Sequence, residues 1–170
     1  MIKIENIKRA DVADYWALHW EYLNRDIFGC ETLVSPADDG DKAYFCGAEY
    51  RGPLEGYMDR TPDTAHAVYF VRDGLRIGCA FYITYKSEDG KCFILDYWVF
   101  PEYRGKGTGR DCFAALANFA ADDGAAYFEL NVTSDSGKRF WVSLGFKDDG
   151  SDEFGHPLMR LAADTLLLEK

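Results

Sequence analysis

The sequence predicts an α/β fold: a single domain with a mixed, mainly antiparallel sheet flanked by helices. Three observations carry that expectation. The chain has 170 residues, 48% hydrophobic and 16% aromatic, without an internal repeat, low-complexity tract or Pro/Ser-rich linker; that suits one well-filled core spanning residues 1–170. The hydrophobic period changes from helical to strand-like near Ala65, where three apolar runs follow one another across turn signals. Beyond Val99, helical and strand-like segments alternate, as in layered α/β domains.

Ile2 and Ile4 alternate with polar residues and start a short strand. Asp11 is placed to cap a helix reaching about Asn24, with Val12, Tyr15, Trp16, His19 and Trp20 at helical spacing. A less regular helical region runs from about Ala37 to Arg60, with a break expected near Gly52-Pro53. Ala65–Val71 and Leu75–Tyr85 form a hairpin around Arg72-Asp73-Gly74, and Asp89-Gly90 turns the chain into Lys91–Val99. Gly107 to about Asp123 is a helix with Phe113, Leu116, Ala117 and Ala120 on one face and Gly124 as its stop. Tyr127–Val132 is a strand and Lys138–Leu144 a short helix closed by Gly145. Phe146–Asp148 and Leu158–Leu161 are short final strands.

Composition narrows the function. A formal net charge of −10 makes nucleic acid a poor partner, because phosphate neutralisation dominates that affinity. Acidic clumps such as Asp38-Asp39-Gly40-Asp41 and Asp148-Asp149 are either solvated loops or a field that draws in a cationic substrate. No apolar run approaches the ~18–20 residues of a membrane span, and Met1-Ile2-Lys3-Ile4-Glu5 lacks a signal-peptide layout. The five cysteines (Cys30, Cys46, Cys79, Cys92, Cys112) are odd in number and contain no C-x-x-C. They read as reduced cysteines of a cytoplasmic protein, and neither a disulfide frame nor a zinc site is expected.

The chemistry concentrates between Cys92 and Arg110. Cys92–Phe100 is almost wholly apolar, as a central strand buried on both faces would be, and Pro101 ends it. Gly105, Gly107 and Gly109 follow, interleaved with Arg104, Lys106 and Arg110, and a helix begins. Glycines let the backbone approach a ligand. The unpaired amides and the dipole of a helix N-terminus favour an anion, so the loop reads as a phosphate or pyrophosphate cradle. It is not a P-loop, and its third glycine falls one residue early for a dinucleotide fingerprint.

Arg104-Gly105-Lys106-Gly107-Thr108-Gly109, preceded by Val-x-Pro-Glu-Tyr at Val99–Tyr103, resembles motif A of the GNAT superfamily of N-acetyltransferases, whose signature is R/Q-x-x-G-x-G/A. Tyr127–Val132 resembles the family's next strand, and Ser134–Phe146, ending in Leu144-Gly145-Phe146, resembles its final helix. The resemblance covers residues 65–148 well and the N-terminal third in outline. It implies a GNAT-like fold and acetyl-CoA as cosubstrate, with no metal and no membrane. Backbone groups of Tyr97 and Val99 would pair with the pantetheine amides as an added strand does. Amides from Arg104 through Gly105, Lys106, Gly107 and Thr108 to Gly109 would hold the pyrophosphate, supplemented by the Arg104, Lys106 and Arg110 side chains. The implied reaction is direct attack of a primary amine, on a small molecule or peptide, upon the acetyl thioester. The region about 9–60 would shape the acceptor pocket, around a motif A core of about 91–124. Homodimers are common in the family, so a second copy is a candidate partner.

Asp96 is the only ionisable acid in its apolar strand. Burying an unpaired carboxylate costs several kcal/mol, so Asp96 is either the base that deprotonates the amine or a structurally paired acid. The family's leaving-group Tyr has no counterpart: Trp141 stands at its position, and Trp cannot deliver a proton at a useful pKa. Either the thiolate departs unaided, or Ser136, Tyr82 or Tyr127 donates, or the chain binds acyl-CoA without fast turnover. Glu102 reads as solvated, His156 as a loop residue able to reach the cleft, and His19 and His66 as structural.

Overall fold

The computed structural model describes residues 1–29 and 37–162; Cys30 and part of the expected acceptor region lie outside them. The described residues form strands β1 (Ile2–Ile7), β2 (Ala65–Arg72), β3 (Leu75–Tyr85), β4 (Lys91–Val99), β5 (Tyr127–Asn131), β6 (Lys147–Ser151) and β7 (Pro157–Ala162). The α-helices among them are α1 (Val12–Tyr22), α2 (Asp39–Phe45), α3 (Ala48–Met58), α4 (Thr108–Asp122) and α5 (Asp135–Ser143). The strands make one sheet in the order β1-β2-β3-β4-β5-β7-β6. Every neighbouring pair is antiparallel except β4–β5. The expected mixed, mainly antiparallel α/β sheet is therefore present. Asp73 and Gly74, both at positive φ (52° and 79°), close the β2–β3 hairpin, as a two-residue loop between twisted strands requires.

Helices cover both faces. On one, Val68, Phe70, Ile77 and Ile94 pack against Cys112, Phe113, Leu116 and Ala120 of α4 and Trp141 of α5. On the other, Ala67, Tyr69, Phe81 and Trp98 meet Val12, Tyr15 and Trp16 of α1 and Leu54 of α3.

Four expectations need correction. The helical region does not break at Gly52-Pro53: α3 runs through both, and the interruption falls at its N-cap, Gly47. Burial of Leu54 and anchoring of Glu55 by Trp16 Nε1 (2.7 Å) and Arg9 (2.6 Å) hold the helix together past the missing amide. α5 begins at Asp135 rather than Lys138, because Ser134 Oγ caps it by accepting from Gly137 N–H at 3.1 Å. Trp20 is exposed, off the buried stripe of α1. β6 occupies Lys147–Ser151, entirely exposed, and is set by pairing with β7 instead of by an apolar pattern.

β4 positions the site. Phe81 faces Asp96 but Tyr82 faces Ile94, which leaves Leu95 as an extra residue, a bulge. Cys92 and Ile94 before it, and Tyr97 and Val99 after it, belong to the α4 side. Leu95 and Trp98 belong to the α1 side. β4 pairs with β5 only through Lys91, Cys92 and Phe93.

Candidate active site

Past Phe93 the two parallel strands part, and a cleft of about 620 Å³ occupies the gap. Ile94, Leu95, Tyr97, Trp98 and Val99 line it from β4, Leu130 and Asn131 from β5, Ser136, Phe140 and Trp141 from α5, and Tyr22 and Asp26 from the α1 side. Its volume is that of ordinary ligand sites. The edge of β4 beyond Phe93 has no strand partner among the described residues, so an extended amide-bearing ligand can add to it as a strand would.

The glycine-rich loop closes one end. Gly105, Lys106 and Gly107 have φ of 86°, 51° and 82°. Three successive left-handed residues form a concavity of backbone N–H groups, and for Lys106 that conformation costs about 1–2 kcal/mol. Thr108 N–H bonds Gly105 O and Asp111 N–H bonds Gly107 O, whereas the amides of Gly105, Lys106, Gly107 and Gly109 have no acceptor among the described residues. These are donors at the N-terminus of the 15-residue α4, and they fit a pyrophosphate. Gly109 has a second reason to be small: a Cβ there would lie 2.9 Å from the Phe140 ring. The basic side chains are partly engaged elsewhere. Arg104 Nε donates to Val99 O at 2.9 Å and its guanidinium pairs with Asp26, while Arg110 donates to Ser143 O at 2.8 Å, at the C-terminus of α5.

Asp96 lies on the α1 side, 7% exposed and absent from the cleft lining itself, though its neighbours Leu95 and Tyr97 are in it. Tyr15 OH donates to Asp96 Oδ2 at 2.7 Å, and His19 Nε2 stands 3.5 Å from the same oxygen. His19 is buried, stacked on Tyr50 at 5.5 Å, and neither ring nitrogen has a hydrogen-bond partner among the described residues. Burial lowers the His19 pKa, against the pull of Asp96 and with help from Arg51. Burial first, then the Asp96 charge, holds the Tyr15 hydroxyl well above its usual value. This cluster is thus a carboxylate fixed by a neutral phenol beside a neutral imidazole.

The acetyltransferase (GNAT) family model matches residues 16–146. The chain belongs to the GNAT acetyltransferase family. As a GNAT acetyltransferase it is an acetyl-CoA-dependent N-acetyltransferase. Its fold is similar to that of PaiA N-acetyltransferase from Thermoplasma acidophilum in complex with coenzyme A, with TM-score 0.66 and 16% identity over 95% of this chain and 99% of that one. A GNAT-family acetyltransferase from Desulfovibrio desulfuricans gives 0.64 and 14% over 96% and 99%. The aminoglycoside acetyltransferase AAC(6')-Ib in complex with coenzyme A gives 0.63 and 17% over 99% of both. Comparison with curated protein sequences gives no match.

For this GNAT acetyltransferase the structure brings Tyr97, Val99, Arg104, Gly105, Gly109, Ser136 and Trp141 to one cleft. Trp141 is buried among Tyr97, Phe113, Phe140 and Phe146. Ser136 is exposed, with Oγ 3.2 Å from Ser134 Oγ. Tyr127 bonds Asp89 and Tyr82 stacks on His66, and neither lines the cleft. His156 is bound to Asp152 and does not reach the cleft. Tyr15, His19 and Asp26 escaped the sequence reading as site residues. The available signal was their spacing: with Tyr22 they stand 4, 3 and 4 residues apart, polar groups on the core-facing stripe of one helix.

Proposed function

We propose that this acetyltransferase acetylates a primary amine on a cationic small molecule or peptide. The unpaired β4 edge opening onto the loop of unmatched amides carries the donor half of this reading. Backbone groups of Tyr97 and Val99 take the pantetheine amides, and Gly105, Lys106, Gly107 and Gly109 offer the pyrophosphate their amides, with Arg104, Lys106 and Arg110 adding charge; the Thr108 amide, expected to join them, is taken by Gly105 O. Residues of about 9–60 shape the acceptor side.

The acceptor must lose a proton. An alkylamine of pKa about 10.4 is about 4.6 kcal/mol from its neutral form at pH 7. Asp96, oriented by Tyr15 and set behind the cleft lining, takes that proton through water. The amine nitrogen then bonds the carbonyl carbon, and the C–S bond breaks. CoA leaves as a thiolate, which tolerates departure because its pKa is near 8.5; Ser136 offers a hydroxyl at the cleft, and Trp141 packs instead of donating a proton. Buried free thiols at Cys79, Cys92 and Cys112 support a cytoplasmic setting, and no described helix is long and apolar enough to cross a membrane.

The test is acetyl-CoA with a panel of monoamines, polyamines, aminoglycosides, amino acids and peptides, read as thiol release. Amine-dependent release is expected. CoA binding without turnover across the panel would overturn the reading.

A further inference from the structure

We infer that Asp26 and Arg104 form a donor-operated latch: the donor's pyrophosphate draws Arg104 off Asp26, and the released carboxylate becomes a binding group for the cationic acceptor. The inference rests on the donor and acceptor reading above. Arg104 Nε donates to Val99 O at 2.9 Å, Nη1 to Asp26 Oδ1 at 3.4 Å, and Nη2 to Asp26 Oδ2. One side chain thus occupies one of the donor's places and is kept from another. Its charge is held away from the pyrophosphate, and it already engages a Val99 backbone group expected to receive pantetheine. Arg104 is 44% exposed and Asp26 25%, so the pair is weakly held, and a pyrophosphate with more charge and more acceptor oxygens out-competes a lone carboxylate.

Asp26 itself is fixed. Trp98 Nε1 donates to the same Oδ2, and Tyr22 packs on the Trp98 ring at 5.8 Å. Residues Leu23–Ile27 continue α1 as one π-helical stretch, a rare local geometry often found where a helix carries function. When Arg104 leaves, the carboxylate stays in the cleft with its charge uncompensated. Trp98 lies two residues along β4 from Asp96, about 7 Å at the usual strand rise. An acceptor whose reacting amine sits by Asp96 meets Asp26 with a second ammonium a few bonds away. Before the donor binds, the ion pair cancels that attraction, so the donor binds first.

The experiment is calorimetric titration of CoA, and of pantetheine, which lacks the pyrophosphate, into the full chain and its Asp26→Asn and Arg104→Gln variants, with Asp26→Glu as the conservative control. Asp26→Asn should bind CoA about twofold to fivefold more tightly. Arg104→Gln should bind CoA about tenfold more weakly yet pantetheine more tightly, because Val99 O is vacated. Asp26→Glu should stay near wild type. Weaker or unchanged CoA binding by Asp26→Asn would overturn the latch, since Asp26 would then steady Arg104 for the phosphates or play no part. With the best amine of the panel, Asp26→Asn should raise the amine KM about tenfold and erase any preference for diamines over monoamines, with kcat little changed. An unaltered KM would overturn the acceptor role of Asp26. Failure of the wild-type chain to bind CoA would instead sink the donor reading itself.

Discussion

The two faces of β4 solve different problems with different parts of the chain. On the α4 side the distinctive polar groups are backbone: a strand edge without a partner among the described residues, three left-handed residues and a row of amides. On the α1 side they are side chains: Asp96, behind the cleft lining, held by Tyr15 beside His19, and Asp26 held by Trp98. A donor with an invariant pantetheine and pyrophosphate can be met by backbone geometry, which does not depend on residue identity beyond glycine. An acceptor that differs from one enzyme to the next calls for side chains.

Separating the two faces by mutation tests this contrast. Asp96→Asn is expected to have the largest effect, lowering kcat at pH 7 by about 10²–10⁴-fold with the Kd for CoA unchanged; a matching loss of CoA affinity would erase the division. Gly107→Val forces a β-branched residue to φ 82° and should weaken CoA by about 10–100-fold, from strain of about 1–3 kcal/mol. Calorimetry with the free cosubstrate is the direct check. Tyr15→Phe removes a buried hydrogen bond to a carboxylate worth about 1.5–3 kcal/mol. It should lower kcat more than it alters CoA binding, with circular dichroism confirming an unchanged fold.

A smaller effect is thermal. Burial depresses the pKa of both His19 and His66, so the folded chain prefers both rings neutral. The resulting stability is fully present above the unfolded value of about 6.5 and is lost as pH falls through the folded values. Tm should therefore drop between pH 7.5 and 5.5, and drop less in His19→Gln, at about 2–4 °C for each kcal/mol. An identical drop in the variant would place the linkage elsewhere.

The same contrast explains what could be read from the sequence. The glycine-rich loop announces itself within ten residues, because strand, Pro101, glycines and helix are contiguous and each acts locally. The Tyr15–Asp96 cluster does not. Tyr15 and Asp96 are 81 positions apart, and nothing in the periodicity of α1 tells a core tyrosine from one that orients a carboxylate. Arg104 was legible as a cation but not as the partner of Asp26, 78 positions away. The helix boundaries failed at Pro53, where the tertiary tether of neighbouring Glu55 outweighed local preference, and at Ser134, whose local cap starts α5 in a poor helix-forming stretch.

The extra residue at Leu95 works as a frame shift in side-chain parity. Upstream of it even-numbered positions look toward α4, and downstream odd-numbered ones do. Were the strand regular through Leu95, with no bulge, Asp96 would keep step with Cys92 and Ile94 and turn toward α4, while Tyr97 and Val99 would turn toward α1. The bulge thus keeps Tyr97 and Val99 in the same layer as Cys92 and Ile94 and leaves the strand's one acid in the opposite layer.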